Sequence, residues 1–210
     1  MASKSAVLGS CALCGHRALK AKMVTHLAAC AASHDTPGPA KALLLLRIEA
    51  AHDGRYWVLV EARADATLQH LDAFLRKLWV ECCGHLSAFV VDRREVPMSA
   101  TAGAALRSAG VKFAYEYDFG STTALAGQVL GARRGSIGRG LIRLLARNDA
   151  LRETCAECPE LGTLVCPYCI ETEEKYLFCD SHAAMHEHAD EDVYLPVVNS
   201  PRMGACGYTG

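Results

Sequence analysis

The sequence lacks the features that place a protein in a membrane, secretory or strongly charged class. Its longest unbroken apolar run, residues 27–32, is mostly alanine and far shorter than the roughly 20 residues needed to span a bilayer. The N-terminal residues contain no apolar stretch of about 7–15 residues before a cleavage site, so no secretory signal is predicted. The formal net charge is only −1 over 210 residues, which gives no global electrostatic attraction to nucleic acid or membrane. We therefore expect a cytoplasmic protein with no membrane partner.

The sequence is instead rich in cysteine and histidine, with 11 and 9 residues respectively. In a reducing compartment, cysteines at this density indicate metal ligation rather than disulfides. Three cysteines lie between positions 11 and 30, two form the adjacent pair Cys82 and Cys83, and six lie between positions 155 and 206. The intervening region carries most of the regular hydrophobic pattern. This distribution predicts a core domain flanked by two Cys/His modules.

The pattern of the central region is typical of an α+β domain. A Pro/Gly cluster at 33–39 ends the first module, and Asp53-Gly54 is a turn of the kind that joins hairpin strands. Strands are predicted at 43–50, 56–60, 86–91, 112–117 and 122–130, and helices at 67–80 and 100–109. This order favours a β-grasp-like mixed sheet with a packed helix. The predicted segments are a zinc finger at 1–36, the core at 41–135, an arginine-rich linker or helix at 136–152, and a zinc module at 153–210.

The strongest metal signal is a run of three Cys/His pairs followed by two more histidines. Within each pair, two residues separate the two ligands. A pair of this spacing on a tight turn points both ligands at one ion. Eight candidate ligands suit two zinc ions, and a module this small would need metal for much of its folding free energy. The candidates are Cys155, Cys158, Cys166, Cys169, Cys179, His182, His186 and His188.

Two pairings of these eight ligands are possible. In a cross-brace, the first and third pairs share one ion, and the second pair shares the other with the last two histidines. In a sequential arrangement, the four early cysteines bind one ion, and Cys179 with three histidines binds the other. The cross-brace is favoured because it gives each ion at least two thiolates.

The N-terminal candidates have the spacing of a C2HC zinc finger: Cys11, Cys14, His26 and Cys30. Residues 18–31 favour a helix, in which positions 26 and 30 lie one turn apart on the same face. His34, one turn further, is an alternative to Cys30. Together with the two zinc ions expected in the C-terminal module, this site brings the expected number of ions to about three. All three sites have four protein ligands, which is typical of structural zinc because catalytic zinc keeps one position for water.

Charge is segregated along the chain despite the near-zero total. Residues 1–34, which include Lys4, carry a net charge of +4, and residues 131–152 carry six arginines and Asp149. From residue 153 onward, eleven acids outnumber two bases. The arginines of a predicted helix within 139–152 are expected to pair with these acids. In the alternative interpretation, these arginines and the basic zinc finger together bind the phosphates of a nucleic acid. The predicted partner is therefore a protein or a nucleic acid.

Residues of the core resemble the plasmid pRiA4b ORF-3-like domain, found in prokaryotic proteins described as passengers of insertion elements. The matching stretches include Thr67-Leu68, the segment 85–89, and above all Tyr115-Glu116-Tyr117-Asp118-Phe119-Gly120. The C-terminal Cys/His region is similar to the zinc-bearing tail of some members. Family members usually continue this last motif with Asp and then Trp and His, whereas here Ser121, Thr122 and Thr123 follow. The resemblance thus implies fold and a plasmid or mobile-element context more than an activity.

The leading functional hypothesis is a zinc-binding adaptor without enzymatic activity. The alternative is an enzyme with a core pocket around His85, Tyr117 and Asp118 acting on a small substrate. Cys82 and Cys83, near His85, also resemble a nucleophile–base arrangement, but packing at a helix end explains them more simply. Neither these two cysteines nor Cys206 is predicted to bind metal.

Overall fold

The structure is a computed structural model that describes residues 7–172, 175–189 and 193–210. Lys4 of the basic N-terminal segment lies outside the described residues, as do five acids of the C-terminal segment: Glu173, Glu174, Asp190, Glu191 and Asp192. The chain forms two compact units. The first comprises Met1–Leu78 and Leu86–Asp149, and the second comprises Trp79–His85 and Ala150–Gly210. None of the helices in the described ranges is long and apolar enough to cross a membrane.

The first unit is built on a nine-stranded sheet with three helices. Its strands are β1 Leu8–Cys11, β2 Arg17–Leu19, β3 Lys41–Ala50, β4 Trp57–Arg63, β5 Ser87–Val91, β6 Arg94–Val96, β7 Lys112–Tyr117, β8 Thr123–Gly135 and β9 Ile142–Asn148. Its helices are α1 Lys20–Ser33, α2 Leu68–Leu75 and α3 Ala102–Leu106, and a π-helical turn, Arg76–Val80, follows α2. The strand order is β2-β1-β9-β4-β3-β8-β7-β5-β6.

Each described pair of strands in this sheet is antiparallel. The α+β class is confirmed, and the sheet is antiparallel where a mixed sheet was expected. Short connections explain the difference, since β3–β4, β5–β6 and β7–β8 are hairpins and parallel pairing requires a long crossover. The predicted turn at Asp53 joins β3 to β4, where the Asp53 carboxylate accepts a hydrogen bond from the backbone N–H of Arg55 at 3.1 Å.

Local signals place the central strand and the main helix. Residues 57–62 of β4 are all buried, as expected of an apolar strand covered on both faces. Helix α2 begins with a capping box between Thr67 and His70, and it buries Leu68, Leu71 and Leu75. These leucines form the apolar face that the sequence spacing predicts.

The predicted arginine-rich helix at 139–152 is wrong. Residues 142–148 form β9, which pairs with β4 on one side and β1 on the other, so sheet pairing overrides the helical propensity of its Arg and Leu residues. Strand β8 ends at Gly135, which is also the last residue of the predicted core segment.

The expectation that the arginines of this segment pair with the C-terminal acids is not met by Arg143, which binds an acid of the first unit together with Arg133 of β8. Both donate to Glu61 of β4, each with a shortest separation of 2.5 Å, and the Glu61 side chain is only 2% exposed. Arg133 also pairs with Asp35 at 2.7 Å, and its hydrogen bond holds the pKa of that carboxyl below its usual range. The arginines neutralise acids within the first unit.

The described residues of the second unit form a small three-stranded sheet and two short helices. Its strands are β10 Leu164–Val165, β11 Leu177–Phe178 and β12 Leu195–Pro196, in the order β11-β10-β12, and its helices are α4 Pro167–Glu171 and α5 Asp180–Ala183. Three of the five buried residues in its apolar cluster are cysteines: Cys155, Cys166 and Cys169. The apolar core is therefore small, and the metal ligands form much of it.

Candidate metal centres

Four groups of cysteine and histidine side chains converge in the described parts of the chain. Within each group the four potential ligand atoms lie within 4.8 Å of one another. The groups take up all eleven cysteines of the sequence, and none of these cysteines forms a disulfide. The groups are Cys11, Cys14, His26 and Cys30; Cys82, Cys83, His85 and Cys206; Cys155, Cys158, Cys179 and His182; and Cys166, Cys169, His186 and His188.

The N-terminal group combines a turn after β1 with two positions on α1. The turn is closed by the backbone N–H of Gly15, which donates to the Cys11 carbonyl at 2.9 Å. Gly15 has a φ of +76°, a conformation that favours glycine. Helix α1 supplies His26 and Cys30 from adjacent turns, as the sequence spacing predicts.

The spacing of these ligand atoms fits a tetrahedral zinc ion. Zinc bound to sulfur at about 2.3 Å places two ligand sulfurs roughly 3.8 Å apart. The Cys30 sulfur lies 3.9 Å from that of Cys11 and 3.7 Å from that of Cys14, and His26 Nε2 lies 3.3 Å from the Cys14 sulfur. A disulfide would require about 2.05 Å between sulfurs, so the thiols are arranged for a shared ion.

His34 lies beside this group but is not one of its four members. Its Nδ1 is 3.6 Å from the Cys30 sulfur and is also within hydrogen-bond distance, 2.8 Å, of the Cys30 carbonyl oxygen. Of the two alternatives left open by the spacing, the structure brings Cys30 together with the other three ligands.

The Cys30 thiol of the N-terminal group resists ionisation where no cation is bound. Burial, together with hydrogen bonds and charge from Cys14 and Cys11, raises the pKa of the Cys30 thiol to about 12. Neighbouring thiols resist ionising together because their negative charges repel. A bound cation reverses this penalty and holds the thiols as thiolates.

The finger is continuous with the sheet of the first unit rather than a separate module. β1 pairs with β9, and the buried side chains of α1 share an apolar cluster with two central strands. Met23 and Leu27 of α1 pack in this cluster with Trp57 of β4 and Leu145 of β9. Burying side chains of this size contributes about 1.5–3 kcal/mol each, so the site rests on an apolar cluster of the first unit.

The first group of the second unit joins the first and third Cys/His pairs. The Cys158 and Cys179 sulfurs are 3.9 Å apart, and His182 Nδ1 lies 3.7 Å from the Cys155 sulfur. Burial opposes ionisation of Cys155, but hydrogen bonds from backbone N–H groups, chiefly that of Glu157, outweigh it and lower its pKa to about 6. The group is therefore suited to a cation.

The second group of this unit joins the middle pair to the last two histidines. The Cys166 sulfur lies 3.3 Å from His188 Nδ1, and the Cys169 sulfur lies 3.2 Å from His186 Nε2. Pro167 starts α4, which carries Cys169 close to Cys166. The side chains are thus grouped as in the cross-brace pairing and not as in the sequential one.

The fourth group was missed by sequence reasoning because its ligands are distant in the chain. Cys82, Cys83 and His85 lie close together, but Cys206 follows 121 residues after His85. No regular spacing connects the two segments. The sequence offers only a Cys-Cys-x-His cluster and an isolated cysteine at position 206. Neither feature indicates that the two segments lie together.

The residues of the predicted enzyme pocket belong to different units. His85 belongs to the second unit and lies in the fourth thiol group, whereas Tyr117 and Asp118 belong to the first. Asp118 Oδ1 accepts a hydrogen bond from the backbone N–H of Gly120 at 3.0 Å, and Tyr117 is buried with the Arg76 guanidinium 4.8 Å from its ring centre. These contacts stabilise the turn after β7 and its surroundings.

A buried polar network near this turn was also not predicted. The Asp72 carboxylate accepts hydrogen bonds from Arg76 at 2.8 Å, Ser87 at 2.6 Å and Tyr115 at 2.8 Å. The spacing of Asp72 and Arg76, four residues apart on a helix, was the available signal. Because the carboxylate has three donors, it is well suited to a structural role in the core.

Two basic residues of the finger have acidic partners. Arg17 pairs with Asp149 at 2.5 Å, and Lys20 pairs with Glu49. With Arg133 and Arg143 bound to Glu61, four of the basic side chains noted in the sequence are neutralised inside the first unit.

Comparison with known proteins gives little further information. No protein-family model matches the chain, and no curated protein matches it. Among solved structures, the chain is similar to a protein of unknown function from Methanosarcina mazei Go1, at 14% sequence identity and a TM-score of 0.44. The similarity covers 51% of this chain and 69% of that chain. It carries no argument about function, and the resemblance to the pRiA4b ORF-3-like domain stays a prediction.

Proposed function

We propose that the chain is a zinc-binding adaptor without enzymatic activity, in which zinc ions fix the surfaces that contact a partner. The observation that supports this most strongly is the convergence of four protein ligands in each of the three groups predicted from the sequence. Four protein ligands fill a tetrahedral zinc ion, so no position is left for a catalytic water. The ions would stabilise the fold rather than activate a substrate.

The surroundings of the three groups support a structural role. The N-terminal group packs in an apolar cluster of the first unit, and the two C-terminal groups contribute buried cysteines to a small core. In such a core, metal binding supplies folding free energy that apolar burial cannot. We infer that the second unit requires its zinc ions to fold.

Of the two predicted partner classes, we favour a protein. Four of the basic residues that suggested phosphate binding are paired with acids of the first unit: Arg17, Lys20, Arg133 and Arg143. Two large apolar side chains of that unit, Leu86 and Phe119, are 73% and 56% exposed, and the backbone N–H of Asp118 donates to the Leu86 carbonyl at 2.9 Å. A protein partner would bury such side chains, since apolar surface at a contact is removed from water. A plasmid or mobile-element setting remains a prediction from the family resemblance.

Zinc content tests the proposal directly. The full-length protein is purified under reducing conditions, and its zinc is measured by elemental analysis and native mass spectrometry. Cys14→Ser, Cys158→Ser and Cys169→Ser are each expected to lose one equivalent relative to the wild type. The control is His52→Ala, an exposed histidine outside the four groups. Unchanged zinc content in these three cysteine variants would contradict the proposal.

Nucleic-acid binding distinguishes the two partner classes. We expect fluorescence anisotropy at low salt to show no binding of zinc-loaded protein to duplex DNA or single-stranded RNA. Binding that weakens steeply as salt rises would indicate phosphate contacts and favour a nucleic-acid partner instead.

A further inference from the structure

We propose that Cys82, Cys83, His85 and Cys206 bind a fourth zinc ion, which joins two distant chain segments within the second unit. The sequence gives these cysteines no metal role, and the proposed function above rests only on the other three groups. Three observations support this site: the distances between its ligand atoms, a buried arginine beside one of its thiols, and the backbone conformation at Gly84 and Cys206.

The ligand atoms form a compact set of three sulfurs and one ring nitrogen. The Cys83 sulfur lies 3.3 Å from that of Cys82 and 3.7 Å from that of Cys206, and His85 Nε2 lies 3.4 Å from the Cys206 sulfur. These separations are close to the edges of a zinc tetrahedron, about 3.8 Å between sulfurs and somewhat less to nitrogen. The distance of 2.9 Å between the Cys83 sulfur and His85 Nε2 would open by about half an ångström around an ion.

A buried arginine provides the charge that such a site needs. Zinc with three thiolates and one neutral imidazole carries a net charge of −1. Arg202 is fully buried, and its Nη2 donates to the Cys82 sulfur at 3.3 Å. A hydrogen bond from a guanidinium is stronger to a thiolate than to a neutral thiol, so this contact favours the ionised, metal-binding form of Cys82. Hydrogen bonds of this kind to ligand atoms also orient them for the metal.

The backbone on both sides of the site adopts conformations that bring the ligands together. Gly84 has a φ of +78° and lies between Cys83 and His85, so the chain reverses within the ligand cluster. Cys206 has a φ of +49°, a left-handed conformation that is uncommon for residues other than glycine. Strained conformations of this kind persist where surrounding interactions hold them, and a metal bond to Cys206 provides one.

Direct contacts already join the same two segments. Ser200 Oγ donates to the Trp79 carbonyl at 2.6 Å and accepts from the backbone N–H of Arg202 at 2.9 Å. A zinc ion would add a cross-link between His85 and Cys206, which are 121 residues apart. A link across a loop of this length strongly restricts the unfolded chain. On binding, each ligand thiol releases its proton to solvent as its sulfur bonds to the ion, and no oxidant is required.

The first test counts zinc ions. Full-length protein loaded with zinc under reducing conditions is expected to carry four equivalents by native mass spectrometry and elemental analysis. The double variant His85→Ala with Cys206→Ser should carry three, whereas the control His52→Ala should keep four. Three equivalents in the wild type, with the Cys14, Cys158 and Cys169 variants each still losing one, would overturn the fourth site and leave the proposed function intact.

The second test follows the thiols in protein that keeps the other three ions, because the second unit is expected to unfold without zinc. Zinc-loaded wild-type protein and the zinc-loaded variant His85→Ala are alkylated with iodoacetamide, and the modified cysteines are identified by peptide mass spectrometry. We expect Cys82, Cys83 and Cys206 to react at least tenfold more slowly in the wild type, while Cys158 and Cys169 stay equally protected in both proteins. Equal alkylation rates of Cys82, Cys83 and Cys206 in the two proteins would overturn the proposal, as would a disulfide among these three residues in the zinc-loaded wild type.

Discussion

The indole ring of Trp57 fills the space beside Gly9 in which a β-carbon would lie. A side chain at Gly9 would overlap indole carbons of Trp57 and also the carbonyl oxygen of Arg147 on β9. Strand β1, which leads into the N-terminal ligand group, can therefore pair with β9 only because residue 9 is glycine.

We expect Gly9→Ala to lower the free energy of unfolding by about 1–3 kcal/mol, because the overlap forces the strand or the indole to shift. Chemical denaturation followed by fluorescence measures the change. The control is Gly131→Ala in β8, where an added β-carbon would meet no atom within 4 Å. Equal stability of the two variants would contradict the packing argument.

Loss of a ligand in the second unit is expected to unfold that unit and spare the first. The chain has two tryptophans, both buried: Trp57 belongs to the first unit and Trp79 to the second. In a Trp57→Phe background, Cys158→Ser should give an emission maximum near that of an exposed indole. In a Trp79→Phe background, the same substitution should leave the emission of Trp57 and its melting transition nearly unchanged. Simultaneous loss of both signals would contradict independent folding.

The four proposed zinc ions are expected to leave in a fixed order. Cys83 and Cys206 of the fourth group are exposed, whereas Cys11, Cys30, Cys155 and Cys166 of the other groups are buried. A chelator such as 4-(2-pyridylazo)resorcinol should therefore remove one equivalent in a fast phase, before the rest. The fast phase should be missing from the His85→Ala, Cys206→Ser variant and retained in His52→Ala. Four equivalents leaving in a single phase would contradict this order.

The carboxylate of Glu61 is a predicted weak point of the first unit. Glu61→Gln would leave the guanidinium groups of Arg133 and Arg143 facing an uncharged amide, and we expect a loss of about 3 kcal/mol in the free energy of unfolding. The matched control is Asp92→Asn, which breaks an exposed pair with Arg107 and should cost less than about 1 kcal/mol. Urea unfolding at neutral pH distinguishes the two, and similar losses would contradict the prediction.

The raised pKa of the Tyr115 phenol predicts how the free energy of unfolding changes at alkaline pH. Burial, with the charge and hydrogen bond of Asp72, raises the pKa of Tyr115 above its usual value of 10.0. The unfolded chain thus loses the phenol proton above about pH 10 while the folded protein keeps it, so stability falls as the pH rises further. Phe at this position lacks that contribution.

Tyr115→Phe should be less stable than the wild type by about 1–2 kcal/mol at pH 8, because a buried hydrogen bond to Asp72 is lost. The difference should shrink by roughly 1.4 kcal/mol per pH unit above pH 10. Urea unfolding at pH 8, 10 and 11 measures it. Tyr168→Phe, at a tyrosine that is 49% exposed, serves as the control with a difference that does not change with pH. A constant difference for Tyr115→Phe would contradict the assigned pKa shift.

Local patterns in the sequence were sufficient to predict several helices and strands of the core. The leucine spacing of α2, the Asp53 turn and the alternation of β7 each describe contacts made within a few residues, and the structure has these elements. The same holds for the ligand pair on α1, where His26 and Cys30 lie on one helical face. Such features depend on helix and strand periodicity, which one sequence displays directly.

Features that depend on distant partners were not predicted. β9 looks helical in isolation and becomes a strand because β1 and β4 offer pairing on both sides. Glu61 gives no sign in the sequence that it binds Arg133 and Arg143, which follow 72 and 82 residues later. The fourth ligand group has the same origin, since only the folded chain brings Cys206 to Cys83.

The separation between His85 and Cys206 has a consequence for synthesis of the protein. At about 5–20 residues per second, the ribosome needs roughly 6–24 seconds to extend the chain from one to the other. The N-terminal ligands, all within the first 30 residues, can meet a zinc ion early in translation, whereas the Cys82 group stays incomplete until residue 206 emerges. Nascent chains therefore pass through an interval in which two adjacent thiols lack their distant partner and are open to oxidants.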